Sequence, residues 1–128
     1  MDIIPKTKFK LQQINPSTLH NLISPLIMRG EEVLSAYQTH SDYVIFTNRR
    51  ILTVFLERNE LTCNTLLTLP YSRILYFSIE STGSLENECE CILRLFFFQL
   101  GDIEFEFIGH NNVAKLSHII GSNIFTYN

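Results

Sequence analysis

Residues 42 to 56 read Asp-Tyr-Val-Ile-Phe-Thr-Asn-Arg-Arg-Ile-Leu-Thr-Val-Phe-Leu. Two apolar runs, rich in β-branched and aromatic side chains, flank a polar Thr47-Asn48-Arg49-Arg50 segment. That pattern predicts two strands folded about a turn. Downstream, Pro70 blocks further ladder pairing and bends the chain, and a helical pattern closes the sequence. Together these features predict a small, mainly β (α+β) domain: a sandwich or barrel capped by a C-terminal helix.

The rest of the chain is divided by the same signals. Val33–His40, Tyr43–Thr47, Arg50–Glu57, Leu61–Leu69, Ile74–Glu80, Glu88–Phe98 and Ile103–Ile108 read as seven short strands, a spacing that suits a sandwich or barrel. Asn111 or Asn112 caps a final helix with Val113, Leu116, Ile120 and Ile124 along one face. Near the other end, Asn15-Pro16-Ser17 is a helix start. Leu19, Leu22, Ile23, Leu26 and Ile27 form its apolar stripe; Pro25 should kink or restart it, and Gly30 stops it. Residues 1–14, with Lys6, Lys8 and Lys10 in alternation, fit an arm, an edge strand or a short helix. The division expected is an N-terminal arm and helix over 1–29 and a β domain over 30–128. Phe46, Phe77 and Phe105 are expected in the core.

At 128 residues, 45% hydrophobic and 18% charged, the chain fits one folded domain. It holds no apolar run long enough for a membrane span, and its Met-Asp-Ile-Ile-Pro start reads as cytoplasmic rather than secretory. Cys63, Cys89 and Cys91 are best explained as free thiols in a reducing compartment. The net charge of −3 argues against nucleic acid as a partner. That charge is uneven: residues 1–58 hold seven Lys/Arg against five Asp/Glu, and residues 59–128 hold three against eight.

The last hairpin is informative. If Gln99 and Ile103 flank its turn, Leu95 and Phe97 face Phe107 and Phe105, and Cys91, Leu93 and Ile103 share that inner face. The outer face then carries Glu90, Arg94, Glu104 and Glu106, but also Ile92, Phe96, Phe98 and Ile108. That is too apolar for a solvated surface. Either the N-terminal helix or another protein chain covers it.

Other candidates have plain structural readings beside the functional ones. Arg49 and Arg50 are able to grip a phosphate or carboxylate by forked hydrogen bonds; the alternative is a solvated turn, with Asn48 left-handed and one Arg paired to a Glu. Tyr71 is either a recognition residue or the anchor of a strand corner. Glu86, Glu88, Glu90, Glu104 and Glu106 make an acidic stripe, but strand residues two apart lie about 7 Å from one another, wide for one metal ion. His20, His40, His110 and His118 show no ligand spacing. No phosphate loop or nucleophile elbow is present. No cofactor, small-molecule substrate or enzymatic activity is expected.

Several segments in order carry a family resemblance: Gly30-Glu31-Glu32-Val33-Leu34, Phe46-Thr47-Asn48-Arg49-Arg50-Ile51-Leu52, Leu69-Pro70-Tyr71-Ser72-Arg73-Ile74, Phe77-Ser78-Ile79-Glu80-Ser81-Thr82-Gly83 and Glu88-Cys89-Glu90-Cys91-Ile92-Leu93. Over about residues 30–125 the chain resembles the bacterial pleckstrin-homology (PH-like) family of short stand-alone domains. The resemblance implies a seven-stranded antiparallel sandwich closed by a C-terminal helix, and a non-enzymatic domain that self-associates through its sheets. Relatives that bind phosphoinositides use Lys/Arg between the first two strands. Here that loop is the short His40-Ser41-Asp42, and no such site carries over.

The leading functional expectation is a scaffold or interaction module that forms a homo-oligomer, with Ile92, Phe96, Phe98, Arg49, Arg50 and Tyr71 as candidate contact residues and a foreign protein as a further partner. The alternative is peripheral binding to an anionic membrane through Lys6, Lys8 and Lys10 together with the Arg49-Arg50 turn.

Overall fold

The structure, a computed structural model, describes residues 9–39, 42–55, 65–81 and 89–124, excluding the side chains of Phe9, Cys89 and His110. Its strands are β1 (Phe9–Ile14), β2 (Val33–Thr39), β3 (Asp42–Thr47), β4 (Arg50–Phe55), β5 (Thr65–Pro70), β6 (Ile74–Ser81), β7 (Cys89–Phe97) and β8 (Gly101–Asn111). They form one sheet in the order β5-β4-β3-β2-β1-β8-β7-β6. The sequence predicted seven antiparallel strands; the eighth is β1, in the middle of the sheet. It runs antiparallel to β2, with Gln12 opposite Gln38, and parallel to β8, with Leu11 opposite Phe107. Alternation explains its fit: Leu11 is fully buried, while Lys10 and Gln12 on either side are exposed.

The two end strands, β5 and β6, are consecutive in sequence. A single 3₁₀ turn, Tyr71–Arg73, joins them, so the sheet folds over and its inner faces share one core. Phe46, Ile51, Leu93, Leu95, Phe105 and Phe107 meet there. Tyr37 sits edge-on between Phe46 and Phe107, with ring centroids 5.8 and 4.6 Å away. Phe77, expected inside, is only half-buried and packs against the core from β6. The C-terminal helix α2 (Val113–Ile124) is capped by Asn112, whose side-chain oxygen accepts from the Lys115 N–H at 3.0 Å. It seals the core with Val113, Leu116, Ile119 and Ile120.

A second cluster lies on the outer face of β2–β4. Asn15 caps a 3₁₀ turn over Pro16–Leu19, which runs into the single helical turn α1 (His20–Ile23). The helix is shorter than its apolar stripe suggests. Pro25 offers no N–H, and the chain leaves as a turn closed by Leu26 and Ile27 N–H bonds to the Ile23 carbonyl. Leu19 and Ile23 pack on Ala36, Ile45, Leu52 and Val54. Among the described residues this segment covers the outer side of β2–β4, and none covers the outer side of β6–β8.

The last hairpin corrects the expected register. Phe97 pairs with Gly101, Leu95 with Ile103 and Leu93 with Phe105, so every partner is displaced by four residues from the expected pairing. An even displacement keeps each side chain on its face. The turn is Phe98-Gln99-Leu100, made possible by positive φ at Gln99 (67°) and Gly101 (89°). Phe98 therefore stands at the hairpin tip, not on the strand.

Phe105 touches the centre of this core. Phe105→Ala should lower stability by about 3–5 kcal/mol, read as a large fall in melting temperature; a wild-type melting temperature would mean that the β8 faces are reversed.

Candidate interaction surface

The β3–β4 turn is organised around a buried ion pair. Glu31, which precedes β2, has a fully buried carboxylate. Arg50 meets it with a fork: Nε to Oε2 at 2.9 Å and Nη2 to Oε1 at 3.0 Å. Nη2 also donates to the Leu26 carbonyl at 2.8 Å, tying down the end of the α1 segment. The carboxylate further accepts from the Met28 N–H and the Thr47 hydroxyl. Burial alone would raise the Glu31 pKa. The hydrogen bonds from Arg50, Met28 and Thr47, with the Arg50 charge, outweigh that and hold it below its ordinary value of 4.5.

Thr47 and Asn48 complete the turn by side-chain bonds. The Thr47 hydroxyl accepts from the Arg49 and Arg50 N–H groups, both at 3.0 Å. Asn48 was expected to be left-handed and is not: among described non-glycine residues only Gln99 has positive φ. Its carboxamide instead bonds the Glu32 N–H and the Gly30 carbonyl, extending the β2–β3 pairing past the last strand residue. Tyr71, offered as a contact residue, is buried and donates its hydroxyl to the Thr47 carbonyl at 2.7 Å. It anchors the β5–β6 corner, and its burial pushes the phenol pKa up. Arg50 is likewise committed to Glu31. Of the basic pair only Arg49 is exposed, and it makes no ion pair with a described residue.

The outer face of β6–β8 is a surface that no described residue covers. Register places Tyr76 beside Phe96 and Asp102, Ser78 beside Arg94 and Glu104, and Glu80 beside Ile92 and Glu106. Tyr76, 59% exposed, stacks on Phe96 with ring centroids 4.3 Å apart and planes 20° from parallel. Exposed Leu75, Phe98 (62%) and Leu100 extend this apolar end. The other end is acidic around one cation. Arg94 is hydrogen-bonded to Glu104 and lies 3.7 Å from both Glu80 and Asp102. The bond to Glu104, aided by the three negative charges, raises the Arg94 pKa against a smaller cost of burial. Ile92 and Phe96 are half-buried in this face. Alternation placed Phe96 on this face; Phe98, expected there too, lies in the turn, and Tyr76 was not singled out, a bulge between Ile74 and Tyr76 leaving Leu75 and Tyr76 exposed in succession.

Lys10 is exposed on β1, opposite Glu106 on β8. Lys6, Lys8, Cys63, Glu86, Glu88 and His40 lie outside the described residues, as do the Cys89 and His110 side chains. Cys91 is buried in the core, and His20 and His118 are exposed on the helices. Among the described residues no group of three or more His, Cys, Asp or Glu is placed to hold a metal ion, and no helix is long and apolar enough to cross a membrane.

A family model described as bacterial PH domain matches residues 3–124, including β1. The fold is similar to a protein with a pleckstrin-homology domain from Shewanella loihica (TM-score 0.73, 19% identity, covering 91% of this chain and 99% of that one). It is also similar to a pleckstrin homology domain from Shewanella amazonensis (TM-score 0.62, 20% identity, covering 88% and 90%). A PH-domain-containing protein from Exiguobacterium sibiricum is more distant (TM-score 0.55, 14% identity, covering 89% and 62%). No curated protein matches the chain.

The ion pair sets a mutational and a pH expectation. Arg50→Met leaves the buried Glu31 carboxylate uncompensated and should cost about 3–5 kcal/mol, whereas Arg49→Met should stay within about 0.5 kcal/mol; urea melts separate the two. Because the folded pKa of Glu31 is depressed, its contribution is full above the unfolded value near 4.5 and is lost as pH falls through the folded pKa. Glu31→Gln should flatten that acid limb of the stability profile, and an unchanged limb would show that other carboxylates set it.

Proposed function

The chain belongs to the bacterial PH domain family, and we propose that it works as a non-enzymatic interaction module that self-associates into a homo-oligomer through the outer face of β6–β8. PH domains are in general modules for protein or lipid interactions. What supports self-association is this face, which no described residue covers. The α1 segment shields β2–β4, and the stacked Tyr76–Phe96 pair with Phe98 is left facing outward. Exposed aromatics concentrated in one patch mark interaction sites. The face also lies beside β6, an end strand of the sheet, whose backbone offers a further edge for pairing.

Membrane attachment has less to stand on. Arg50 contributes no free charge to the turn, because Glu31 takes it. Of the cations named for that reading, Arg49 and Lys10 are described and exposed, and at about 1 kcal/mol for each cation near an anionic surface these two give weak binding.

Light scattering on a size-exclusion column should give a discrete multiple of 14.9 kDa that persists at high salt. Phe96→Glu should shift it to the monomer with strand content unchanged; an unaltered mass would remove this face from the interface. In parallel, sedimentation with anionic vesicles at low salt should leave the protein in the supernatant. Recovery in the pellet would favour the membrane reading.

A further inference from the structure

We infer that the wedge where β1 and β8 part is a binding site for an extended, uncharged segment of a foreign polypeptide, held mainly through its peptide groups. The site is separate from the Tyr76–Phe96 patch and does not depend on self-association.

The wedge arises where the parallel ladder ends. β1 and β8 run side by side from the Phe9–Phe105 pair to the Gln12–Ile108 pair, and no further pair between them follows. Both strands turn away for local reasons. On β8, Gly109 has φ +81°, and the strand bulges against β7, where Cys91 pairs with Phe107 but Cys89 pairs with Asn111. The buried Asn111 side chain holds this bend, its amide donating to the Ile108 and Gly109 carbonyls at 3.0 and 3.4 Å. On β1, Asn15 starts the following turn by accepting from the Ser17 N–H at 3.0 Å, and Pro16 fixes the backbone after it. The opening is thus built into both strands, so binding has little left to order.

The result is a cleft of about 530 Å³, with residues 12–16 on one side and Ile108 and Gly109 on the other. None of these lining side chains is ionisable, so a charged ligand finds no counter-charge among them. Gln12, Gln13 and Asn15 bring carboxamides, which donate and accept as a peptide group does. Ile14, Pro16 and Ile108 supply apolar walls for small side chains. Over Gly109 the space is open, since a Cβ built there meets nothing within 4 Å, and another backbone is free to approach closely. The strand itself adds direction. Successive residues of a strand send their N–H and C=O groups to opposite edges. Gln13 and Ile14 lie opposite Tyr37 and Ala36 of β2, so one of the two directs its backbone to β2 and the other to the wedge. A peptide laid along this edge continues the ladder past its last β8 pair, by strand addition. A sugar has no such series of N–H and C=O groups and would gain the side-chain contacts alone.

Amide chemical shifts test the site. The isotope-labelled, deuterated full chain is titrated with pooled, blocked tetrapeptides of Ala, Thr, Gln and Val, using transverse-relaxation-optimised spectra that tolerate an assembly. Saturating shifts should centre on Gln13, Ile14 and Gly109. Gln13→Ala should weaken binding by about three- to tenfold, for one hydrogen bond lost. Gln38→Ala, on β2 and outside the lining, should leave it unchanged. Both positions are exposed, and circular dichroism verifies that each variant folds. Shifts that never arise, that map elsewhere, or that are indifferent to Gln13→Ala overturn the site. Equal shifts with maltotriose, which has hydroxyls and no peptide groups, overturn the polypeptide assignment. The mass in solution reports on self-association alone and is untouched by either result.

Discussion

Glu31 and Arg50 are 19 residues apart, and their ion pair joins parts of the chain that would otherwise be independent. Its carboxylate fixes the turn at Met28, its guanidinium holds the Leu26 carbonyl at the end of the α1 segment, and Thr47 links both to the β3–β4 connection. The Thr47 carbonyl then receives the Tyr71 hydroxyl, which brings in the corner where the sheet folds over. A buried carboxylate is tolerable only when fully hydrogen-bonded. Here that requirement sets the position of four segments at once.

The same clamp explains why the two sides of the sheet differ. With residues 16–27 held over β2–β4, their apolar stripe is used up on Ala36, Ile45, Leu52 and Val54. Nothing of that stripe reaches Tyr76, Phe96 or Phe98. The asymmetry of the outer surface is thus a consequence of where a polar anchor sits. It leaves one half of the molecule with aromatic and acidic groups and the other with an exposed methionine flanked by arginines.

β1 is the other organising element. By pairing with β2 on one side and β8 on the other, it joins the two halves of the sheet through a single parallel ladder. The segment is short and carries Lys10, Gln12 and Gln13, and no local pattern distinguishes it from an arm. Its strand character comes from two partners about 25 and 96 residues away in the chain, and of its described side chains only Leu11 is fully buried.

Much was legible because it is local. Alternation along 91–97 and 103–107 assigned every inner side chain correctly, and it survived a register displaced by four residues because the side-chain period is two. The Asn15 cap, a helix cap at Asn111 or Asn112 and the break in the helical stripe at Pro25 also follow from neighbouring residues, whereas Tyr71 finds its partner, the Thr47 carbonyl, 24 residues away. Other features required the tertiary structure. The sequence does not say which glutamate answers Arg50, that β1 lies mid-sheet, or that a bulge turns Tyr76 out beside Phe96. Periodicity and capping are properties of a few adjacent residues, whereas partner choice depends on which distant surfaces the closed sheet brings within reach.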